Sequence, residues 1–258
     1  MKAVGLIAAM PQEIAPFLRR VGKYERFRLA SFYAYRFRLF ELDCVLVRCG
    51  VGFERAIAAS RALIEATRPE LLVSFGVAGA VRPGLRVGDV IVAAAEGTCL
   101  LDDPAVAVAE DPFRSLAHMS PQAQQAVSAA LLPRRAHFYT GTILTTRGSQ
   151  VVPSLPAQVV YPVLDMETAG IAQVAAEYGL PLLGLRAISD SVDQPLPFNL
   201  DEMLDEQQNL HIGRIVGTII RHPHMLAQSL RLSQNVNRAS QNLAAALFEA
   251  LKHTDMLD

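Results

Sequence analysis

Two runs of this chain are apolar from end to end and then stop at unusual chemistry. Leu182-Leu183-Gly184-Leu185 leads into Arg186-Ala187-Ile188-Ser189-Asp190, and Leu71-Leu72-Val73-Ser74-Phe75 leads into Gly76-Val77-Ala78-Gly79-Ala80. Runs this short, with almost no polar alternation, belong to strands covered on both faces, so the sheet they form must lie beneath helices. A third segment, Asp165-Met166-Glu167, is separated from the Leu182 run by a helical stretch, which lets both acidic runs reach one edge of the sheet. Carboxylates at the end of a buried strand are costly in a core and natural in an active site.

The rest of the chain alternates in the same way. Residues 2–9, 31–39, 43–49, 71–75, 90–95, 137–145, 158–164 and 182–188 read as strands, and 11–19, 53–67, 120–131 and 166–178 as helices. Beyond Pro197 the pattern is helical over 200–220 and 223–252, with a break at His222-Pro223. The expected fold is α/β: three layers, with a central mixed twisted sheet flanked by helices. No linker-like stretch divides the chain, so 1–258 reads as one domain whose 200–258 portion is its helical C-terminal part. Ligands of such sheets sit at strand C-terminal ends, where Glu13, Gly76 to Gly79, Glu167 and Asp190 fall.

Composition excludes several classes. With 24 Lys and Arg against 25 Asp and Glu, the chain offers no general basic field for nucleic acid, which leaves a small-molecule partner. Cys44, Cys49 and Cys99 lie in apolar surroundings without metal spacing and read as reduced and buried, and the six histidines form no metal motif. The glycines at 76 and 79 lack the dinucleotide fingerprint, so neither a metal nor a cofactor is expected. The apolar opening is short and meets Glu13 at once, which makes it a first strand; no stable membrane anchor and a cytoplasmic location are expected.

Five pieces now stand in order: Met10-Pro11-Gln12-Glu13, Val77-Ala78-Gly79, Val87-Gly88-Asp89, Asp165-Met166-Glu167 and Arg186-Ala187-Ile188-Ser189-Asp190. In this order and spacing the chain resembles the purine nucleoside phosphorylase and 5'-methylthioadenosine/S-adenosylhomocysteine nucleosidase superfamily over residues 1 to about 205. Its tail, from Pro195-Leu196-Pro197 through Arg221-His222-Pro223, is similar to the hopanoid-associated branch, whose members remove adenine from adenosylhopane.

Breaking an N-glycosidic bond builds positive charge on the ribose and negative charge on the purine, so the site needs a proton donor at the base and acceptors at the sugar. The resemblance makes Asp190 the donor to purine N7, with Ser189 positioning it, and Glu13 the base that orients and deprotonates water. It makes Glu167 the acceptor for the 2'- and 3'-hydroxyls, places Met166 against the sugar, and lines the site with Val77, Ala78 and Gly79. Arg186 holds a neighbouring carboxylate. Read from the residues alone, Asp190 is equally a helix cap, Asp165 a cap, and Glu13 and Glu167 first-turn acids beside a helix dipole.

The nucleophile separates three functions: hydrolysis of a 5'-substituted adenosine, phosphorolysis by a purine nucleoside phosphorylase, and nucleoside binding without turnover. Bacterial phosphorylases carry an arginine and a serine where Ser74 and Val77 stand, which favours water, although Arg48 or Arg82 offers another anion site. Nucleosidases commonly carry serine at Val77 and an aromatic over adenine in the loop at 145–150, which has none here; Phe75, Tyr161 and Phe198 are the alternative base faces. The amphipathic tail helix either covers the sheet or a partner subunit, or forms a hydrophobic lip for a polycyclic substituent. The resemblance also implies a homodimer, with a hexamer as the alternative.

Overall fold

The computed structural model describes residues 2–100, 119–146, 155, 159–191 and 225–253. In chain order the elements are β1 (Lys2–Ala8), α1 (Pro11–Val21), β2 (Glu25–Leu29), β3 (Phe32–Leu39), β4 (Leu42–Arg48), α2 (Phe53–Thr67), β5 (Leu71–Ala80), β6 (Val90–Leu100), α3 (Pro121–Leu131), β7 (Phe138–Thr145), β8 (Val163–Asp165), α4 (Thr168–Glu177), β9 (Leu182–Asp190) and α5 (Met225–Lys252).

Nine strands make one mixed sheet in the order β2-β3-β4-β1-β5-β8-β7-β6-β9, and β5 also pairs with β9. The last five strands therefore close on themselves, while β4, β1 and the hairpin β2–β3 extend the sheet from β5 as an open wing. β4, β1, β5 and β9 run parallel; β6 and β7 are parallel to each other and β6 is antiparallel to β9. As its apolar runs require, the sheet is buried on both sides. One layer gathers Phe17, Phe37, Phe75, Leu185, Leu243 and Leu247, and the other gathers Phe53, Leu63, Leu72, Ile143, Ile171 and Ile188. The α/β three-layer arrangement is the one the apolar runs demand.

Several boundaries depart from the sequence reading, among them β6, which runs on from the expected 90–95 to Leu100. The strand expected at 158–164 is only Val163–Asp165, because Tyr161 is left-handed (φ 42°) and breaks the extended path. β2 was not anticipated: it is an edge strand whose residues alternate between exposed and half-buried, leaving little apolar signal. β5 and β9 run beyond their apolar cores, since their pairing continues from Leu72↔Leu182 to Gly79↔Asp190, with a register shift between Ala78 and Gly79. Asp190 thus ends a strand.

The tail helix α5 packs on α1, α3 and β9. Its Ala239, Leu243, Ala246, Leu247, Ala250 and Leu251 are buried in the core, so this part of its apolar face covers the sheet and leaves no lip. The helix expected at 200–220 and the break at His222-Pro223 lie outside the described residues.

Candidate active site

β1 ends at Ala8, Met10 stays extended, and Pro11 occupies the first position of α1, which its fixed φ suits. Glu13 is the third helical residue. Its Oε2 accepts from Met10 N–H at 2.7 Å, and its Oε1 reaches across to accept from Val77 N–H in β5 at 2.9 Å. The close approach depends on Gly76, where a Cβ would stand 2.7 Å from Glu13 Oε1. Glu13 is 3% exposed. Burial raises its pKa, while the Val77 and Met10 amides and the charge of Arg186 pull the other way. A carboxylate has about four acceptor directions, so two backbone bonds leave room for a further partner.

Arg186, in the middle of β9, is the largest fully buried side chain among the described residues. Its Nε donates to Asp165 Oδ2 at 2.9 Å, and its terminal nitrogens donate to Ser74 Oγ at 2.9 Å, Thr168 Oγ1 at 2.6 Å and the Leu185 carbonyl at 2.8 Å. A second contact to Asp165 Oδ2, at 2.7 Å, makes this a buried ion pair. Asp165 also accepts from Thr145 Oγ1 at 2.6 Å and from both the backbone N–H and the hydroxyl of Thr168. It therefore secures the first turn of α4, the capping role, and is at the same time the acid that Arg186 holds. Ser74, Thr145 and Thr168 are the members of this network that sequence reasoning missed. Each reads as an ordinary hydroxyl in an apolar run, and Ser74 and Thr168 meet only through a separation of 94 residues.

Glu167 immediately precedes α4. Its Oε1 accepts from Gly52 N–H at 2.7 Å, in the Cys49-to-Gly52 loop between β4 and α2. Gly52 adopts φ 110°, a backbone state suited to glycine, which lets its N–H face the carboxylate. This loop was not singled out in the sequence, although Gly50-Val51-Gly52 before a helix was the available signal. Burial, then the charges of Asp165 and Glu13, push Glu167 up to about 8. Met166 packs against the α2 and α4 side of the core. The same buried corner holds Cys49, whose thiol donates to the Gly50 carbonyl at 3.0 Å and is pushed up by burial and by Glu167. Cys44 is likewise free and buried.

Asp190 closes β9 beside Gly79, where a Cβ would stand 2.5 Å from Asp190 Oδ2. Ser189 Oγ donates to Asp190 Oδ1 at 2.6 Å and lies 3.4 Å from the Ala78 carbonyl. Burial raises the Asp190 pKa and only the Ser189 hydroxyl opposes it. Val77 contributes its amide to Glu13, while its side chain packs against the α1 side of the core.

Glu13, Arg186, Glu167, Ser189, Asp190 and the Val77-to-Gly79 backbone thus converge on one region, where β1, β5, β8 and β9 meet. Of the alternative anion-site residues, Arg82 is held by backbone carbonyls. Arg82 donates to the Val159 carbonyl at 3.0 Å and to the Leu155 carbonyl, and Arg48 lies over the Tyr33 ring. Of the proposed base faces, Phe75 is core, packed on Phe17 at 5.9 Å; Tyr161 is exposed and stacks on Tyr139; Phe198 lies outside the described residues. Residues 147–150 lie outside them too. Among the described residues no group of three His, Cys, Asp or Glu is placed to hold a metal, and no helix is long and apolar enough to cross a membrane.

A sequence model of the phosphorylase superfamily matches residues 3–221. The chain belongs to that superfamily. Within it, the chain is 26% identical over 215 residues to a 5'-methylthioadenosine/S-adenosylhomocysteine nucleosidase of Haemophilus influenzae, covering 78% of this chain and 91% of the relative. It is 27% identical to the nucleosidase of Staphylococcus saprophyticus over 231 residues, 84% of this chain and 99% of the relative. Among solved structures, an S-adenosylhomocysteine nucleosidase of Streptococcus pyogenes superposes with a TM-score of 0.69 at 22% identity, over 97% of this chain and 96% of that one. A futalosine hydrolase of Helicobacter pylori superposes at 0.66 with 16% identity, over 98% and 99%. The superfamily fold is thus shared by members named for different nucleosides.

Proposed function

We propose that this chain hydrolyses the N-glycosidic bond of a 5'-substituted adenosine and releases adenine. The observation that carries this reading is the placement of two buried carboxylates along β5, Glu13 against Gly76 and Asp190 against Gly79. Burial raises both acids, and at Asp190 the Ser189 hydroxyl alone opposes it. Glu13 is flanked by two amide donors and the field of Arg186, which favour its ionised form. This difference in neighbours matches Asp190 to the donor and Glu13 to the base.

Water attacks C1' of the ribose while the C1'–N9 electron pair leaves with the purine. Asp190 delivers a proton to N7 of the departing base, and Glu13 accepts the proton from the attacking water. Glu167 accepts hydrogen bonds from the ribose hydroxyls, and Met166 lies along the sugar. Ser189 fixes the Asp190 rotamer. Water as the nucleophile, rather than phosphate, is supported by the engagement of Ser74 and Arg82 within the protein.

The 5' group is read as a lipid-like substituent of the adenosylhopane kind. The support is the sequence likeness of the Pro195-Leu196-Pro197 and Arg221-His222-Pro223 segments to the hopanoid-associated branch. The chain is read as one domain acting as a homodimer, as the family resemblance implies.

The test is adenine release from a panel of 5'-substituted adenosines, adenosylhopane included, with and without phosphate. Adenine in phosphate-free buffer is the expected result, with adenosylhopane the preferred substrate. Strict phosphate dependence would establish a phosphorylase, and binding without release a non-catalytic protein.

A further inference from the structure

The near-zero total charge averages two unequal parts. From Glu25 to Arg48 the wing β2–β3–β4 holds five of the chain's 24 Lys and Arg and three of its 25 Asp and Glu, so it is net basic and the remainder net acidic. Three of these arginines converge on one ring. The guanidinium carbons of Arg28, Arg26 and Arg48 lie 3.6, 4.4 and 4.6 Å from the centroid of Tyr33. The register explains the convergence: Arg28 pairs with Tyr33 across β2–β3, Tyr33 with Arg48 across β3–β4, and Arg26 is two residues along the same strand face. Arg26 and Arg28 are exposed and Arg48 half-buried. Arg28 also donates to the Ser31 carbonyl at 2.8 Å, but among the described residues none of the three has an acidic partner.

Like charges gathered on one ring repel each other and gain from an anion. The planar fork of a guanidinium also suits bidentate contact with phosphate oxygens. The cluster stands at the carboxylate edge of the sheet, since Arg48 is the register partner of Ala8, the residue after which β1 leads to Met10 and Glu13. Half-buried Tyr35 and exposed Tyr24, 5.6 Å apart, extend the same wing with amphipathic rings.

We propose that this arginine–tyrosine cluster is a docking surface for an anionic lipid bilayer, against which the wing holds the carboxylate edge of the sheet. A single-stranded nucleic acid is the poorer match, because the ring on which a base would stack is already covered by guanidiniums. The purpose of docking rests on the lipid-substituent reading above: a substrate with its 5' group in the membrane presents its nucleoside at the headgroup level. The docking itself is independent of that reading. It is electrostatic and reversible, and needs no inserted helix.

The experiment is co-sedimentation of the full chain with phosphatidylcholine vesicles with and without phosphatidylglycerol. Binding is expected only with phosphatidylglycerol, falling as salt rises. The double variant Arg26→Gln, Arg28→Gln is expected to lose about thirtyfold in vesicle affinity, while the corresponding double lysine variant retains most of it. Release of adenine from a water-soluble 5'-substituted adenosine should be unchanged in both, with melting curves confirming that they fold. Equal binding to neutral vesicles, retention of binding in the glutamine variant, or preference for an oligonucleotide over vesicles overturns the proposal. Loss of soluble turnover in a folded glutamine variant overturns it as well, by placing the cluster in the reaction site. A protein that binds anionic vesicles yet cleaves no nucleoside would sink the hydrolase reading and leave the docking surface standing.

Discussion

Asp165 and Glu167 stand two residues apart and are treated in opposite ways. Asp165 is answered entirely from within: Arg186, Thr145 and Thr168 donate to its two oxygens. Glu167 receives one described donor, Gly52 N–H, and faces the negative charges of Asp165 and Glu13. A carboxylate saturated by its own fold holds elements together. One left with unfilled acceptor capacity and a raised pKa is poised to meet something the chain does not supply. Glu13 and Asp190 fall with Glu167 on that second side.

The contrast is broken most directly at Asp190. Replacing it with Ala should cut adenine release by about 10²–10⁴-fold, the usual range for a positioned proton donor, with little change in nucleoside affinity or melting temperature. Parallel losses of binding and turnover would put Asp190 on the structural side. The converse substitution is Asp165→Asn, which leaves Arg186 buried without its counter-charge. It should destabilise the fold by about 3–5 kcal/mol in urea titrations, and a variant as stable as the parent would show the pair to be dispensable.

The smallest effect is a slope. Glu167, Glu13 and Asp190 all have raised pKa values in the folded chain, so the folded state keeps protons that the unfolded state releases. The associated stability is complete below the ordinary carboxylate range and is lost as pH rises toward about 8 for Glu167. Unfolding free energy should therefore decline across that window, by at most about 1.4 kcal/mol per pH unit for one group, and Glu167→Gln should flatten the decline. Stability rising with pH there would mean that these acids are ionised and satisfied.

The unsaturated side of the contrast was the legible one. Glu13, Glu167 and Asp190 stand out in sequence because charge interrupts apolar strands, and the structure brings them to one region. The saturated side was hidden: Ser74, Thr145 and Thr168 acquire meaning only when Arg186 arrives from 18 to 112 residues away. Asp165 was left between cap and site residue because local sequence carries only the cap. The same limit hid the Gly52 amide, which reaches Glu167 across 115 positions. The wing's basic character was diluted by counting charge over the whole chain.

The closed circuit of β5, β8, β7, β6 and β9 also sets an order of events during synthesis. β9 joins β5 to β6, and it is made about a hundred residues after β5. Until it emerges from the ribosome, β5 and β6 keep unpaired edges, and Glu13 lacks the field of Arg186 just as Gly79 lacks its neighbour Asp190. A nascent or truncated chain that stops short of β9 is therefore a folding liability with exposed strand edges, and it lacks Asp190, the proposed proton donor.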